Sequence, residues 1–310
     1  MVGASFLFAT MGVCVKLASS DYSTGEIVFY RGLMGTAMVF AAIRWTGGTL
    51  KTAVPQMHFW RTVSGISALC MWFYSIGKLP LATAMTLNYM SSVWMALFLI
   101  GGAAMVGTAR KDGQKDGQTG GQKDGQTGGQ ISGRLIATVL LGFAGVALIL
   151  QPTIADNQLW HGLIGLISGV VAATAFLQVA SLAKAGEPAL RIVFYFSLGG
   201  VVAGALWATL TGGWHGHHPR GVALLIAVGL LATTAQFMMT RAYGRGKTLV
   251  NASLAYLGIV FSFGYGVWLF DDRITLWAVL GMVLIVGSGI AATLLRQSTP
   301  AAAVAQSAET

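Results

Sequence analysis

The sequence predicts an all-α membrane protein of ten transmembrane helices, arranged as two inverted five-helix repeats. Three observations carry this expectation. Of the 310 residues, 9% are charged and 55% are hydrophobic, where a soluble chain carries about 25% charged residues. Such a chain cannot cover itself with polar surface, so its solvent is mostly lipid. The apolar residues gather into runs about twenty residues long, the length that crosses a bilayer as a helix. Lys and Arg then collect in alternate loops, as the positive-inside rule requires of a multi-pass protein.

The first run, Val2–Ala18, has no basic leader and no small-residue cleavage site, so it reads as a span and not as a signal peptide. Gly25–Trp45, Phe59–Gly77, Leu81–Gly101 and Leu135–Gln151 complete the first half. Leu163–Leu182, Ala189–Leu210, Val222–Tyr243, Thr248–Phe270 and Leu276–Leu295 form the second. Glycine is frequent, at 42 residues, and lets membrane helices approach closely. Cys14 and Cys70 both fall inside apolar runs and read as small packing residues.

Arg44, Lys51, Arg61, Arg110, Lys111, Lys115, Lys123, Arg134, Lys184, Arg191, Arg241, Arg245, Lys247 and Arg296 fall on one side of this topology. Only Lys16, Lys78, Arg220 and Arg273 fall on the other. The rich side is expected to be cytoplasmic, with both termini there, in a bacterial inner membrane. The net charge of +9 is therefore a topology signal and not a nucleic-acid surface.

The repeat is visible in letters. Ile27-Val28-Phe29-Tyr30 recurs as Ile192-Val193-Phe194-Tyr195, an offset of 165. Thr86-Leu87-Asn88-Tyr89 matches Ser253-Leu254-Ala255-Tyr256 at 167, and Gly145-Val146-Ala147 matches Gly289-Ile290-Ala291 at 144. The drop locates extra residues between the fourth and fifth spans. They are Lys111 to Gln130, a tract of Lys, Asp, Gly, Gln and Thr with no apolar residue. It cannot bury enough surface to offset its ordering entropy and reads as a disordered cytoplasmic loop. The expected units are thus 1–110 (helices 1–4), 111–130 (loop), 131–152 (helix 5), 160–296 (helices 6–10) and 297–310 (a disordered tail). An odd number of spans per repeat inverts the second copy, an arrangement typical of secondary transporters with a site near the bilayer midplane.

Tyr30-Arg31-Gly32, Phe73-Tyr74 through Leu79-Pro80-Leu81-Ala82-Thr83-Ala84, and Phe270-Asp271-Asp272-Arg273-Ile274-Thr275 resemble the drug/metabolite transporter superfamily, and within it the EamA-type ten-helix exporters. Leu87-Asn88-Tyr89 is similar to its exporters of aromatic and other neutral amino acids. The resemblance implies a carrier that exports small metabolites, neutral and aromatic amino acids first among them, by alternating access. A vitamin, nucleotide or drug-like substrate is the alternative. The sequence departs from the family by lacking a proline shortly after Tyr89 and after Tyr256.

Arg31 is the one basic residue placed well within a span. Two readings stand open for it: an interior group that meets a substrate carboxylate, or an anchor snorkelling to the interface. Asn88, Tyr89, Asn251 and Tyr256 lie on repeat-related spans, and Gln178 and Gln236 are large amides at depth. Each needs a neighbouring helix or a wet cavity to satisfy it. Tyr74 and Trp94 are candidate aromatic walls. Together these nine are the candidate substrate-binding residues. Trp45, Trp60, Trp160, Trp207, Trp214 and Trp268 read as interfacial. His215, His217 and His218 read as a solvated outer loop and not a metal site. The sequence offers no catalytic cluster, cofactor motif or metal set, which argues against an intramembrane enzyme. The expected partners are a small-molecule substrate and the lipid bilayer.

Overall fold

The structure, a computed structural model, describes residues 1–95, 158–211, 213–245, 254–271 and 279–288, with a few positions between and beside them. Among the described residues it is all helix, without strands. Helix α1 spans Val2–Ala18, α2 Thr24–Trp45, α3 Pro55–Lys78 and α4 Leu81–Tyr89. In the second half α5 spans Gln158–Lys184, α6 Ala189–Leu210, α7 Pro219–Arg245, α8 Leu257–Phe270 and α9 Val279–Ser288. The fifth expected run, the Lys111–Gln130 tract and the C-terminal tail lie outside the described residues.

The helix ends follow from local chemistry. Ser23 caps α2 in a capping box: its hydroxyl accepts from the Glu26 N–H, and the Glu26 carboxylate accepts from the Ser23 N–H. Pro55 opens α3 at its first turn, where a missing N–H costs nothing. That start lies four residues before the apolar run, so Arg61 sits two turns inside a helix. It was expected among the loop cations; the structure corrects this. Gly47 and Gly186 take positive φ (67° and 84°) just beyond α2 and α5, where an L side chain would be strained.

Helices α2, α6 and α7, and Leu159–Lys184 of α5, are each long and apolar enough to cross a bilayer. Their outward faces are apolar too: Leu33, Ile167, Val202, Leu206 and Ile226 are exposed, and all six tryptophans read as interfacial are exposed across the bundle. In water such a surface would drive aggregation; in lipid it is the solvated face. Cys14 and Cys70 are free thiols.

The packing follows the letter repeat. The dominant contact joins α2 to α6, the two helices that share the Ile-Val-Phe-Tyr motif. The next two join α3 to α5 and α1 to α7. If the repeat pairs span one with six and span three with eight, these two contacts exchange with each other. Helices α4 and α8, also mates, touch as well. The α2–α6 crossing is close because glycines line it. A Cβ on Gly32 would come within 2.6 Å of the Val201 nitrogen and 2.8 Å of the Ser197 oxygen.

Both mates in the α4–α8 pair are interrupted. The ladder tightens to an i→i+3 bond at Val93 N–H to Met90 C=O (2.9 Å), where helix resumes over 91–95. The same bond recurs at Ile259 N–H to Tyr256 C=O (2.9 Å), at the start of α8. A tightened turn inside a span often marks a hinge.

Each end of the bundle carries a clasp around a buried glutamate. At one end Glu26, with no exposure, accepts from the His215 backbone N–H and lies 2.7 Å from His215 Nδ1. Beside it Tyr30 hydrogen-bonds His217 Nε2, and His218 stacks on Tyr22. The histidine loop thus rests against α2 while His215, His217 and His218 keep exposed side chains, in line with the solvated reading.

At the other end Glu187 accepts from Thr52 Oγ1 (2.7 Å) and Arg191 Nη1 (2.9 Å), with His58 Nε2 at 3.2 Å. Here Tyr195, the mate of Tyr30, donates to the Leu50 carbonyl. Each contact joins loops that the charge count assigns to the same side.

Burial alone would raise the Glu187 carboxyl, but the Thr52, Arg191 and His58 partners and the Arg191 charge overcome it and hold it below its ordinary value of 4.5. A lowered carboxylate adds stability above the unfolded value and loses it as pH falls through the folded one. Wild-type thermal stability in detergent is therefore expected to fall as pH drops below about 4.5. Glu187→Gln should flatten that limb and lower stability by about 1–3 kcal/mol at neutral pH. An unchanged acid limb in the variant would remove Glu187 as its source.

Candidate functional site

The helices enclose a narrow cavity of about 70 Å³. Its wall draws on both halves: Ser5 and Phe8 of α1, Arg31 of α2, Arg61 to Trp72 of α3, and Asn88 and Tyr89 of α4. Ala172 to Phe176 of α5, Phe196 of α6, Gln236 to Tyr243 of α7, and Met1, Ser91, Ser92 and Ala255 also line it. The wall is largely apolar, with a few polar groups set into it.

Four of the nine expected site residues line this cavity. Arg31 is 3% exposed and turned into the bundle. Its Nη2 reaches Gln236 Oε1 at 3.5 Å, and Gln236 Nε2 reaches Thr240 Oγ1 at 3.5 Å, both at the outer limit of a hydrogen bond. Asn88 donates to Ser168 Oγ (2.9 Å), tying α4 to α5. Tyr89 is buried and packs against Gly258, where a Cβ would collide with its phenol.

The other five are off the wall and engaged elsewhere. Tyr74 pairs with His161 Nδ1 (3.0 Å), and Gln178 accepts from Ser64 Oγ (2.7 Å). Asn251 donates to the Ala242 carbonyl (2.6 Å). Tyr256 is fully buried in the hydrophobic core, and Trp94 packs against that core. The polar atoms of Tyr74, Gln178 and Asn251 thus bind neighbouring segments.

Arg61 and Phe196 are among the wall residues that were missed. Arg61, 2% exposed, lies with its guanidinium carbon 4.4 Å from the centroid of the Phe196 ring. Arg31 approaches the same ring at 5.1 Å. Phe196 stands 165 residues after Arg31, so it is the repeat mate of Arg31, and the two mates meet inside the bundle. Gly65, one turn after Arg61, leaves the room for this pose, since a Cβ there would collide with Arg61 Nη1. The signal that could have found Arg61 is Pro55, a helix-start residue that carries α3 back past it.

A body of apolar helices around a cavity with a few buried polar groups is the architecture of a membrane transporter. Residues 1–101 match the EamA-like transporter family. The chain is 31% identical over 300 residues to the pseudopaline exporter CntI of Pseudomonas aeruginosa, covering 93% of this chain and 92% of that protein. It is 23% identical over 295 residues to an uncharacterized transporter of Helicobacter pylori, covering 93% and 91%. A protein of known crystal structure shares the fold, with a TM-score of 0.64 and 19% identity over 95% of this chain and 96% of the other. The chain belongs to the EamA-type transporters of the drug/metabolite transporter superfamily. It is a multi-pass membrane protein and a carrier of small metabolites, as the motif resemblance implied.

Proposed function

We propose that this protein is a secondary transporter that exports small metabolites bearing a carboxylate, amino acids among them, across the bacterial inner membrane. Ten helices in two inverted halves, with both termini cytoplasmic, would rock about the cavity to open it to each side in turn. The observation that carries this reading is the cavity itself, whose wall draws polar residues from both halves, Arg31 and Asn88 from one and Gln236 from the other. The exchange of the α3–α5 and α1–α7 contacts supports the inverted halves. The paired turns at Met90 and Tyr256 supply hinges. The two clasps are placed to close either end. Export, as the direction, is supported by the name of the Pseudomonas relative.

The reading is tested with purified protein in proteoliposomes loaded with radiolabelled amino acids and other small carboxylates. Saturable efflux of at least one carboxylate, above that of empty vesicles, is expected. Tyr89→Ala should reduce it by tenfold or more per folded molecule, alongside a stability loss of about 3–5 kcal/mol because the ring is buried. Equal efflux from empty vesicles would sink the carrier reading, and an unaffected Tyr89→Ala would remove Tyr89 from the site.

A further inference from the structure

We propose that the substrate is a net anion with two acidic groups, held between Arg31 and Arg61; this rests on the carrier reading above. The cavity wall carries two guanidinium groups, and among the described residues no carboxylate lines it. Arg31 Nε, Arg61 Nε, Arg61 Nη1 and Trp72 Nε1 are all buried without a hydrogen-bond partner. Every unpartnered buried polar atom on the wall is thus an N–H donor. A ligand that completes this site brings acceptors and negative charge.

The energetics point the same way. Removing one ion from water costs several kcal/mol, recovered only by an opposite charge or dense hydrogen bonding. The shared Phe196 ring returns only part of that cost. Gln236 adds one long hydrogen bond to Arg31. Arg61 has no such partner among the described residues and shares the ring with a second cation. One carboxylate neutralises one guanidinium and leaves a buried charge; two neutralise both. Planar forked guanidiniums pair with carboxylates bidentately. A neutral zwitterion fits worse, because its ammonium finds two cations and no acid. Phe8, Trp72 and Phe176 supply apolar wall for the carbon skeleton.

The experiment compares succinate, glutamate and leucine as probes of wild type, Arg31→Met and Arg61→Met. Binding is read as the thermal shift in detergent and transport as flux in proteoliposomes. In wild type the shift and the flux should rank succinate above glutamate above leucine. Each Met variant should weaken succinate tenfold or more and narrow the preference over leucine. Each should also melt at or above the wild-type temperature without ligand, because an unpaired buried charge is gone; an arginine held for structure would lower it. Equal binding of leucine and succinate, or a preference unchanged in Arg61→Met, overturns the proposal while leaving the carrier intact. Succinate binding that is lost in Arg61→Met, in a protein with no flux, supports the anion site and overturns transport.

Discussion

Gly32→Val is expected to abolish the folded protein. The Cβ of any residue at this position would lie 2.6 Å from the Val201 nitrogen, 2.8 Å from the Ser197 oxygen and 2.9 Å from the Gly200 carbonyl carbon. All three are backbone atoms of α6, and none can rotate away. The only relief is to separate α2 from α6, the most extensive contact in the bundle. Overpacking a core usually costs about 1–3 kcal/mol, but here the strain also opens the interface that carries the neighbouring site. Arg31 precedes Gly32, and Phe196 precedes Ser197, so the same displacement draws the guanidinium off its ring. Gly264→Val is the control, since a Cβ there meets nothing within 4 Å. Size-exclusion chromatography in detergent should show Gly32→Val aggregated or absent and Gly264→Val near wild type. A monodisperse, transport-active Gly32→Val would mean that α2 and α6 are not held as close as described.

How far the sequence reveals such positions depends on what membrane burial does to pattern. Several spans were legible, because run length is set by bilayer thickness. Ala189–Leu210 and Val2–Ala18 appear as helices with the expected bounds. The lateral direction of a side chain was not. In water, an apolar stripe against a polar face reports which side is buried. In lipid both sides are apolar, so depth gives no azimuth. Asn88, Tyr89 and Gln236 turned toward the cavity, while Tyr74, Gln178 and Asn251 at comparable depth turned toward His161, Ser64 and the Ala242 carbonyl. The charge count also works against Arg61: a rule that sorts cations into loops has no place for one inside a helix. The repeat offers a remedy. The offset of 165 that pairs Tyr30 with Tyr195 also pairs Arg31 with Phe196, and mates near a pseudo-twofold axis are near each other.

Gln236→Glu should make the protein more stable and less active at once. Gln236 Oε1 lies 3.5 Å from Arg31 Nη2, so an isosteric carboxylate there meets a buried cation with no acid partner among the described residues. The variant adds no volume and moves no backbone. The amide already makes a hydrogen bond to a charged group, about 1.5–3 kcal/mol; the carboxylate adds the attraction of opposite charges, which offsets part of the cost of an unpaired buried cation. Melting in detergent is therefore expected to rise by a few degrees. A tethered carboxylate also competes with substrate at an effective concentration in the millimolar range or above. Flux of acidic probes should fall tenfold or more, while the remaining affinity shifts toward substrates with fewer acidic groups. The two effects have one cause, the capture of Arg31, so they should appear together. Stability and activity that both fell would show the introduced acid to be uncompensated, and Arg31 to be already neutralised by a group other than substrate.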